Sequence, residues 1–149
     1  MTHKYHTDYN EQRARMFYSK LRKHFATKRS TTVGLAEGEL SVKYHETVVF
    51  RYYVDTGDVE VDNGGWATPT TKERINDCLD LCDIPASIYQ ETRRKRKSDP
   101  PGTTREDRKQ WYIYFRPNQR KYAVDDRLHF KRAHCHTGGF IDGARKVAS

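Results

Sequence analysis

The 149-residue chain is polar, with 35% hydrophobic and 32% charged residues and a formal net charge of +8. This length suits one domain with a core of moderate size, and the high polarity indicates that some segments lie outside that core. No apolar run approaches bilayer length, and three cysteines without a signal peptide favour a reducing compartment over a disulfide scaffold, so we expect a cytosolic protein with no membrane partner.

The positive charge is concentrated toward the two ends of the chain. Basic residues outnumber acidic ones by 8 to 4 over residues 1–40 and by 16 to 7 over residues 91–149, whereas residues 41–90 have 4 basic and 9 acidic residues. Basic outer parts around an acidic centre favour a polyanionic partner. Alternatively, the basic residues only keep the protein soluble, and the sequence leaves both interpretations open.

A basic amphipathic helix is predicted near the N-terminus. It is expected to open at Thr7 or Asp8, because Asp8 and Glu11 have the spacing of a capping box. Its apolar stripe recurs at helical spacing and consists of Ala14, Phe17, Tyr18, Leu21 and Phe25. Its other side carries Arg13, Arg15, Lys20, Arg22 and Lys23. That side predicts either contacts with phosphates or the solvated face of a docked helix.

Alternating residues predict an antiparallel hairpin in the middle of the chain. The alternation runs from Val42 to Val54, with Phe50 on one face and Arg51 on the other. A turn with Gly57 at a position suited to positive φ then leads into a second short strand at residues 59–61.

The segment after this hairpin predicts a sharp turn followed by a capped helix. Gly64 and Gly65 can adopt the positive φ angles of such a turn. Thr70 and Glu73 have capping-box spacing, so the helix is expected to begin there. Trp66 lies between the turn and the cap, where it can cover the join between sheet and helix.

The second helix has an apolar face that is half cysteine, made of Ile75, Cys78, Leu79 and Cys82. Pro85 ends the helix, and residues 86–90 can form a strand. Periodicity is then lost in a cationic loop at residues 92–109, which we expect to be mobile. The loop begins with five consecutive cations, Arg93, Arg94, Lys95, Arg96 and Lys97.

A last pair of strands is predicted beyond the loop. Residues 110–115 place Trp111, Ile113 and Phe115 on one face and leave Tyr112 and Tyr114 exposed on the other. This strand is expected to pair with residues 86–91, and residues 122–130 can supply one more strand.

These segments define an α+β domain: a small antiparallel sheet of four or five strands, one helix packed on it and an N-terminal basic amphipathic helix. We assign residues 1–30 to a basic helical arm and residues 31–41, which contain two glycines and no clear period, to a linker. Residues 42–132 form the core, and residues 133–149 form a basic tail for which no structure is predicted.

Several of these motifs occur together in a recognisable order. They are Thr47-Val48-Val49-Phe50, Val59-Glu60-Val61-Asp62-Asn63-Gly64-Gly65-Trp66, Thr68, Thr70-Thr71-Lys72, Arg74-Ile75-Asn76, Tyr89 and Trp111-Tyr112. This combination resembles small bacteriophage-encoded proteins of unassigned function. The resemblance covers residues 45–130 and leaves the first helix and the tail outside. Pro69 and the cationic insertion depart from the pattern of these phage proteins. It implies a phage or prophage origin, with the host cytoplasm or the virion as the place of action, and implies no activity.

Nucleic-acid binding without catalysis is the function that the residues favour. Phosphate contacts are expected from Arg93, Arg94, Lys95, Arg96 and Lys97, and from Arg13, Lys20 and Lys23 on the first helix. Tyr112 and Tyr114 can provide stacking surfaces for unpaired bases. No helix of groove-reading type is recognisable, so little base specificity is expected. A solvated loop and ordinary cross-strand tyrosine pairs are the alternative interpretation.

Three other functions fit parts of the sequence. A protein-binding role in host takeover, anti-defence or virion structure would use the acidic centre at Asp55, Asp58, Glu60 and Asp62 together with the basic flanks. A metal-dependent nuclease would need Asp125, Asp126 and a histidine, but no catalytic motif accompanies them. Zinc binding by Cys78, Cys82 and His134-Cys135-His136 lacks the usual ligand spacing. We therefore predict no cofactor, no metal and no catalytic residue.

Overall fold

The computed structural model describes residues 2–66, 68–117, 119–130 and 141–146, with side chains given for residues 10–66, 68–117 and 119–124. Two α-helices lie in these ranges, α1 (Thr2–Phe25) and α2 (Pro69–Leu81). The strands are β1 (Thr31–Ala36), β2 (Glu39–Tyr44), β3 (Thr47–Tyr53), β4 (Val59–Asp62), β5 (Ala86–Thr92), β6 (Lys109–Phe115), β7 (Arg120–Phe130) and β8 (Ile141–Lys146). The predicted α+β class is confirmed.

The sheet is antiparallel at every pairing of the described strands. Its strand order is β1-β2-β3-β4-β7-β6-β5, and β8 pairs with β7. The 11-residue strand β7 pairs with β6 over residues 120–124 and with β4 over residues 127–130. It therefore joins a four-stranded part, β1 to β4, to the hairpin of β5 and β6.

Helix α1 belongs to the core of the domain. Ala14, Phe17, Leu21 and Phe25 are each at most 2% exposed, and the Phe17 ring meets the Tyr52 ring edge-on at 5.5 Å. The predicted apolar stripe is thus confirmed, but the helix begins at Thr2 and not at Thr7 or Asp8. The Asp8 and Glu11 spacing is therefore no cap, because it occurs inside a helix that has already started.

Residues 31–41, predicted as a linker, form a hairpin instead. Val33 pairs with Val42 and Leu35 with Leu40, and these side chains pack toward the core. The turn at residues 37 and 38 has positive φ at both positions, 53° and 75°, which suits a two-residue hairpin loop. Small and polar residues on the outward face of β1 leave little alternation in the sequence, which explains the error.

The predicted strand from residue 42 to residue 54 is two strands. A turn at His45, whose φ is 52°, separates β2 from β3. A β-bulge then lies opposite Val42 and Lys43, so both Val49 and Phe50 are fully buried although they are adjacent. The hairpin of β3 and β4 is as predicted, with φ of +75° at Gly57.

The turn after β4 confirms the predicted role of its two glycines. Gly64 and Gly65 have φ of 62° and 83°, and a Cβ on Gly64 would lie 2.6 Å from Oγ1 of Thr47. The buried Asn63 holds the turn, since its Oδ1 accepts a hydrogen bond from the Gly65 N–H at 2.8 Å. Trp66 does not cover the join as predicted, because 69% of its surface is exposed.

The cap of α2 lies two residues before the predicted one. The Thr71 N–H donates to Oγ1 of Thr68 at 3.2 Å, which makes Thr68 the N-cap. Pro69 occupies the first helical turn, where its missing N–H and restricted φ are favourable. Thr70 and Glu73 therefore lie within the helix, and their capping-box spacing has no capping role.

The apolar face of α2 is confirmed. Ile75, Cys78, Leu79 and Cys82 are at most 1% exposed. The side chain of Asn76 ties the helix to the sheet by bonding both backbone groups of Ile88, donating to its oxygen at 2.8 Å and accepting from its N–H at 2.7 Å. This joint orients β5, and with it the cationic loop that follows.

The tail contains more structure than predicted. Residues 141–146 form β8, with the register Tyr122 to Lys146 and Phe130 to Ile141 along β7. The remaining tail residues of the prediction lie outside the described ranges. Together with β1 and β2, this strand makes the sheet larger than the four or five strands expected.

Candidate nucleic-acid interface

The cationic loop projects from the end of the hairpin formed by β5 and β6. Thr92 pairs with Lys109 in the last rung of the hairpin. Beyond it, the Arg93 N–H donates to the Arg108 oxygen at 2.8 Å, and Nη1 of Arg108 donates back to the Arg93 oxygen at 2.8 Å. The base of the loop is therefore closed by backbone and side-chain bonds.

Arg93 and Asp99 form a bidentate ion pair across the first part of the loop. The Arg93 Nη2 and Nη1 donate to Oδ1 and Oδ2 of Asp99 at 2.7 and 3.0 Å. Oδ2 also accepts from the Arg96 N–H at 2.8 Å. The hydrogen bond from Arg93 and the one from the Arg96 backbone hold the pKa of Asp99 down to about 2. Arg93 therefore holds the loop in shape, and its predicted contact with phosphate stays a prediction.

The second part of the loop is held by a similar local bond. The Thr104 N–H donates to Oδ2 of Asp107 at 2.9 Å, and the Asp107 N–H donates to Oγ1 of Thr104 at 3.2 Å. These bonds lower the pKa of Asp107. A short 3-10 helix, Glu106–Arg108, completes the loop. The loop spans residues 93–108, because Thr92 and Lys109 at the ends of the predicted loop belong to β5 and β6. Its shape is held by the contacts described here, and its mobility stays a prediction.

Four of the five tandem cations face solvent. Arg94, Lys95, Arg96 and Lys97 are exposed, and none of their side chains forms an ion pair with a described residue. Four positive charges in a row on a loop of determined shape form a surface that attracts polyanions. We call these four residues the cationic strip.

The tyrosines of the hairpin lie on the face opposite its buried residues. Trp111, Ile113 and Phe115 are buried, as predicted. Tyr112, however, is only 8% exposed, because its ring stacks on Tyr89 at 5.8 Å. The prediction that Tyr112 is an exposed stacking surface is therefore wrong.

Lys121 and Tyr114 complete this face. The Lys121 Nζ lies 5.0 Å from the Tyr112 ring centroid and 3.3 Å from Oε2 of Glu91. Tyr114 is paired with Lys121 across β6 and β7 and is partly exposed. Of the two predicted stacking residues, Tyr114 is thus the more accessible.

The basic residues of α1 form a second candidate surface. Lys20 and Lys23 are exposed, whereas the Arg13 guanidinium is partly buried 5.2 Å from the Phe17 ring centroid. In the described part of the chain, no hydrogen bond or ion pair links Lys20 or Lys23 to the cationic strip. The basic face of α1 and the cationic strip are therefore two separate candidate surfaces.

The acidic centre is partly used by the fold. Glu60 accepts from Arg51 and from the Tyr53 hydroxyl, each at 3.3 Å. Burial and the charge of Glu60 raise the pKa of Tyr53. Asp62 accepts from the Gly64 N–H at 2.7 Å, and Asp55 is the exposed acidic residue of this hairpin.

The cysteines of α2 are buried thiols. Cys78 and Cys82 form no disulfide, and burial raises the pKa of both thiols above its usual range. The described residues contain no group of three or more His, Cys, Asp or Glu side chains that could hold a metal ion. The side chains of Asp125 and Asp126 and the segment His134-Cys135-His136 lie outside the described residues.

Comparison with known proteins identifies the family. The model of the Kyanoviridae Gp96 protein, a bacteriophage protein family, matches residues 10–96, more than half of the chain. The chain belongs to the Kyanoviridae Gp96 family. No curated protein and no solved structure matches it. The predicted phage origin is therefore confirmed, while the motifs of the resemblance stay predictions.

The matched region differs from the one that the motifs suggested. It begins within α1 and ends inside the cationic strip, so the first helix and the hairpin of β1 and β2 belong to the Gp96 homology region. The last strands lie beyond the match. Among the described helices of this Gp96 family member, none is long and apolar enough to cross a membrane.

Sequence reasoning missed the residues that shape the loop. Asp99 precedes Pro100-Pro101-Gly102, a turn signal that could have indicated an acidic residue folding back on the cations. The stacking of Tyr89 on Tyr112 was equally visible in principle, because strands 86–91 and 110–115 were predicted to pair. Their register, however, depends on the length of a loop whose path the sequence did not predict.

Proposed function

We propose that this phage protein binds nucleic acid without catalysis, with the cationic strip as its main contact. The observation that carries the proposal is the exposure of Arg94, Lys95, Arg96 and Lys97 on a loop held by the Arg93 and Asp99 ion pair. Neutralising phosphates with such residues releases counterions, which is the main source of affinity in sequence-independent binding.

The shape of the loop supports this function. Because Arg93 is bound to Asp99 and the loop base is closed by Arg108, less backbone entropy is lost when a strand binds than for a disordered tail. Contacts from arginine and lysine to phosphates carry no sequence information. Low base specificity follows.

The tyrosines have a smaller part than the sequence suggested. Tyr112 is covered by Tyr89 and Lys121, which leaves Tyr89 and Tyr114 as the partly exposed rings of this face. Partly exposed rings support the stacking of unpaired bases. Because stacking on a tyrosine ring needs an unpaired base, this contact favours single-stranded ligands over duplex.

The test is fluorescence anisotropy with labelled single-stranded and duplex oligonucleotides at several salt concentrations. Replacing all four residues of the cationic strip by serine should weaken binding and reduce the salt slope by roughly 3 for a single strand. The matched control replaces Arg15, Lys20, Arg22 and Lys23 of α1 by serine, which removes the same charge. Equal losses in both variants would indicate a general charge effect and contradict a site at the strip; a larger loss in the control would move the site to α1.

We place this activity in the cytoplasm of the infected host, with the virion as the alternative. The other functions predict different results. A host- or virion-protein partner should be captured from extract and survive nuclease treatment, whereas loss of every partner would count against that role. A nuclease should degrade the oligonucleotide probe and stop on chelation.

A further inference from the structure

A cavity of about 400 Å³ lies beside the Gly-Gly-Trp turn and is not used by the proposed function. This volume is within the range of pockets that bind small molecules, roughly 300 to 1,000 Å³. It is formed where the turn between β2 and β3, the turn after β4 and the N-terminus of α2 meet. Its lining includes Tyr44, His45, Asn63, Trp66, Thr68 and Thr71.

Aromatic rings form the walls of this cavity. Trp66 is 69% exposed, the most exposed large hydrophobic residue among those described. Tyr44 is a second aromatic residue of the lining. The centroid of its ring lies 4.3 Å from that of His45 and 5.5 Å from the Arg74 guanidinium. The Trp66 and Tyr44 rings both line the cavity, and an accessible indole is a stacking surface for a planar ring.

Asn63 presents a hydrogen-bond donor without a partner. It is only 2% exposed, and its Oδ1 accepts from the Gly65 N–H, which determines the orientation of the amide. The amide Nδ2 donates to no atom of the described residues, and Asn63 lines the cavity. Among the described residues only Nε of Arg108 is a fully enclosed side-chain donor without a partner, so Nδ2 of Asn63 is open to the cavity, where a ligand acceptor can take the place of water.

A second donor comes from the cap of α2. The hydroxyls of Thr68 and Thr71 are 2.8 Å apart, and Oγ1 of Thr68 also accepts from the Thr71 N–H. Whichever hydroxyl donates to the other, one hydroxyl proton has no acceptor among the described residues. Both threonines line the cavity, so this proton is available to a ligand there.

We propose that the cavity binds a planar heteroaromatic ring of the nucleobase type. The ring stacks on Trp66, and its carbonyl or ring-nitrogen acceptors face Nδ2 of Asn63 and the threonine hydroxyls. Such a ring can belong to a free nucleoside or to one unpaired base of a bound strand. The second source rests on the proposed function, whereas the first does not.

The test uses the fluorescence of Trp66. The chain has two tryptophans, and Trp111 is 5% exposed, so a Trp111→Phe background leaves Trp66 as the single reporter. Neutral nucleosides are titrated first, because they avoid effects of phosphate charge. Saturable quenching by at least one nucleoside is expected. Absence of saturable quenching by every nucleoside and by a single-stranded oligonucleotide would overturn the proposal.

Asn63→Asp is the decisive variant. Its Oδ1 still accepts from the Gly65 N–H and preserves the turn, while the donor Nδ2 is replaced by an acceptor. Binding of the preferred nucleoside should weaken on the order of tenfold, with the circular dichroism spectrum unchanged. Unchanged affinity would overturn the role of the amide and with it the proposal. If this variant fails to fold, Trp66→Ala, followed by calorimetry, should weaken binding roughly five- to a hundredfold.

The two sources of the ring are separated by the cationic-strip variant. If the cavity takes a base of a bound strand, an oligonucleotide should quench Trp66 at lower concentration than a nucleoside does, and the strip variant should abolish that advantage. If it takes a free nucleoside, quenching should be the same with and without the strip. Nucleoside binding that persists when oligonucleotides fail to bind would sink the proposed function and leave the cavity site intact.

Discussion

The turn at residues 63–68 and the cationic loop at residues 93–108 are both irregular, yet they are stabilised differently. The turn depends on the buried Asn63 and on two residues with positive φ, one of them pressed against Thr47. The loop depends on the Arg93 and Asp99 ion pair, with its exposed residues making few contacts. We infer that the turn tolerates little change in sequence, because its buried Asn63 and its backbone conformation are both constrained, whereas the loop can vary in sequence around its ion pair.

The largest expected effect separates the two glycines of the turn. Gly64→Ala places a Cβ 2.6 Å from Oγ1 of Thr47 at a φ of +62°, and we expect a loss of roughly 3 kcal/mol in the free energy of unfolding. Gly65→Ala is the matched control, because its φ is +83° but nothing lies within 4 Å of the added atom. That variant should lose about 1 kcal/mol. Urea unfolding measures both, and equal losses would show that the contact with Thr47 is relieved at no cost.

The next effect tests the cap that joins this turn to α2. Thr68→Ala removes the acceptor of the Thr71 N–H and should cost about 1 kcal/mol of stability. Thr70→Ala changes a threonine two residues away that has no capping bond, and it should be close to neutral or slightly stabilising, because alanine has the higher helix propensity. Thermal unfolding followed by circular dichroism distinguishes them. A larger loss for Thr70→Ala would restore the capping box that the sequence suggested.

The elements that the sequence predicted correctly are those with a strong local signal. The apolar stripes of α1 and α2 follow from burial on one face, and the positive φ angles at Gly57, Gly64 and Gly65 follow from backbone sterics. The prediction of a linker at residues 31–41 was wrong, because β1 carries small residues on its outward face and shows little alternation. Its pairing with β2 is what makes this segment a strand.

The candidate sites also divide into features that a local sequence pattern predicts and features that depend on long-range packing. The exposed cationic strip was visible as a run of charge, but the capture of Arg93 by Asp99 depends on the path of the chain between them. The burial of Tyr112 depends on the register of β5 against β6. The cavity brings together residues 44–49 and 63–71, and no local pattern predicts that meeting. Long-range packing decides each of these three features.

The smallest effect concerns the acid sensitivity of the loop. The pKa of Asp99 is lowered to about 2, so its pairing with Arg93 favours the folded loop above the ordinary carboxyl range and is lost as pH falls through about 2. The loop should therefore keep its native chemical shifts at pH 4, where an ordinary aspartate is already half protonated. Asp99→Asn removes the charge at every pH, and amide hydrogen exchange at residues 93–99 should speed up while the core signals stay unchanged. Faster exchange in the core as well would mean that the ion pair supports the whole domain, and the contrast between turn and loop would not hold.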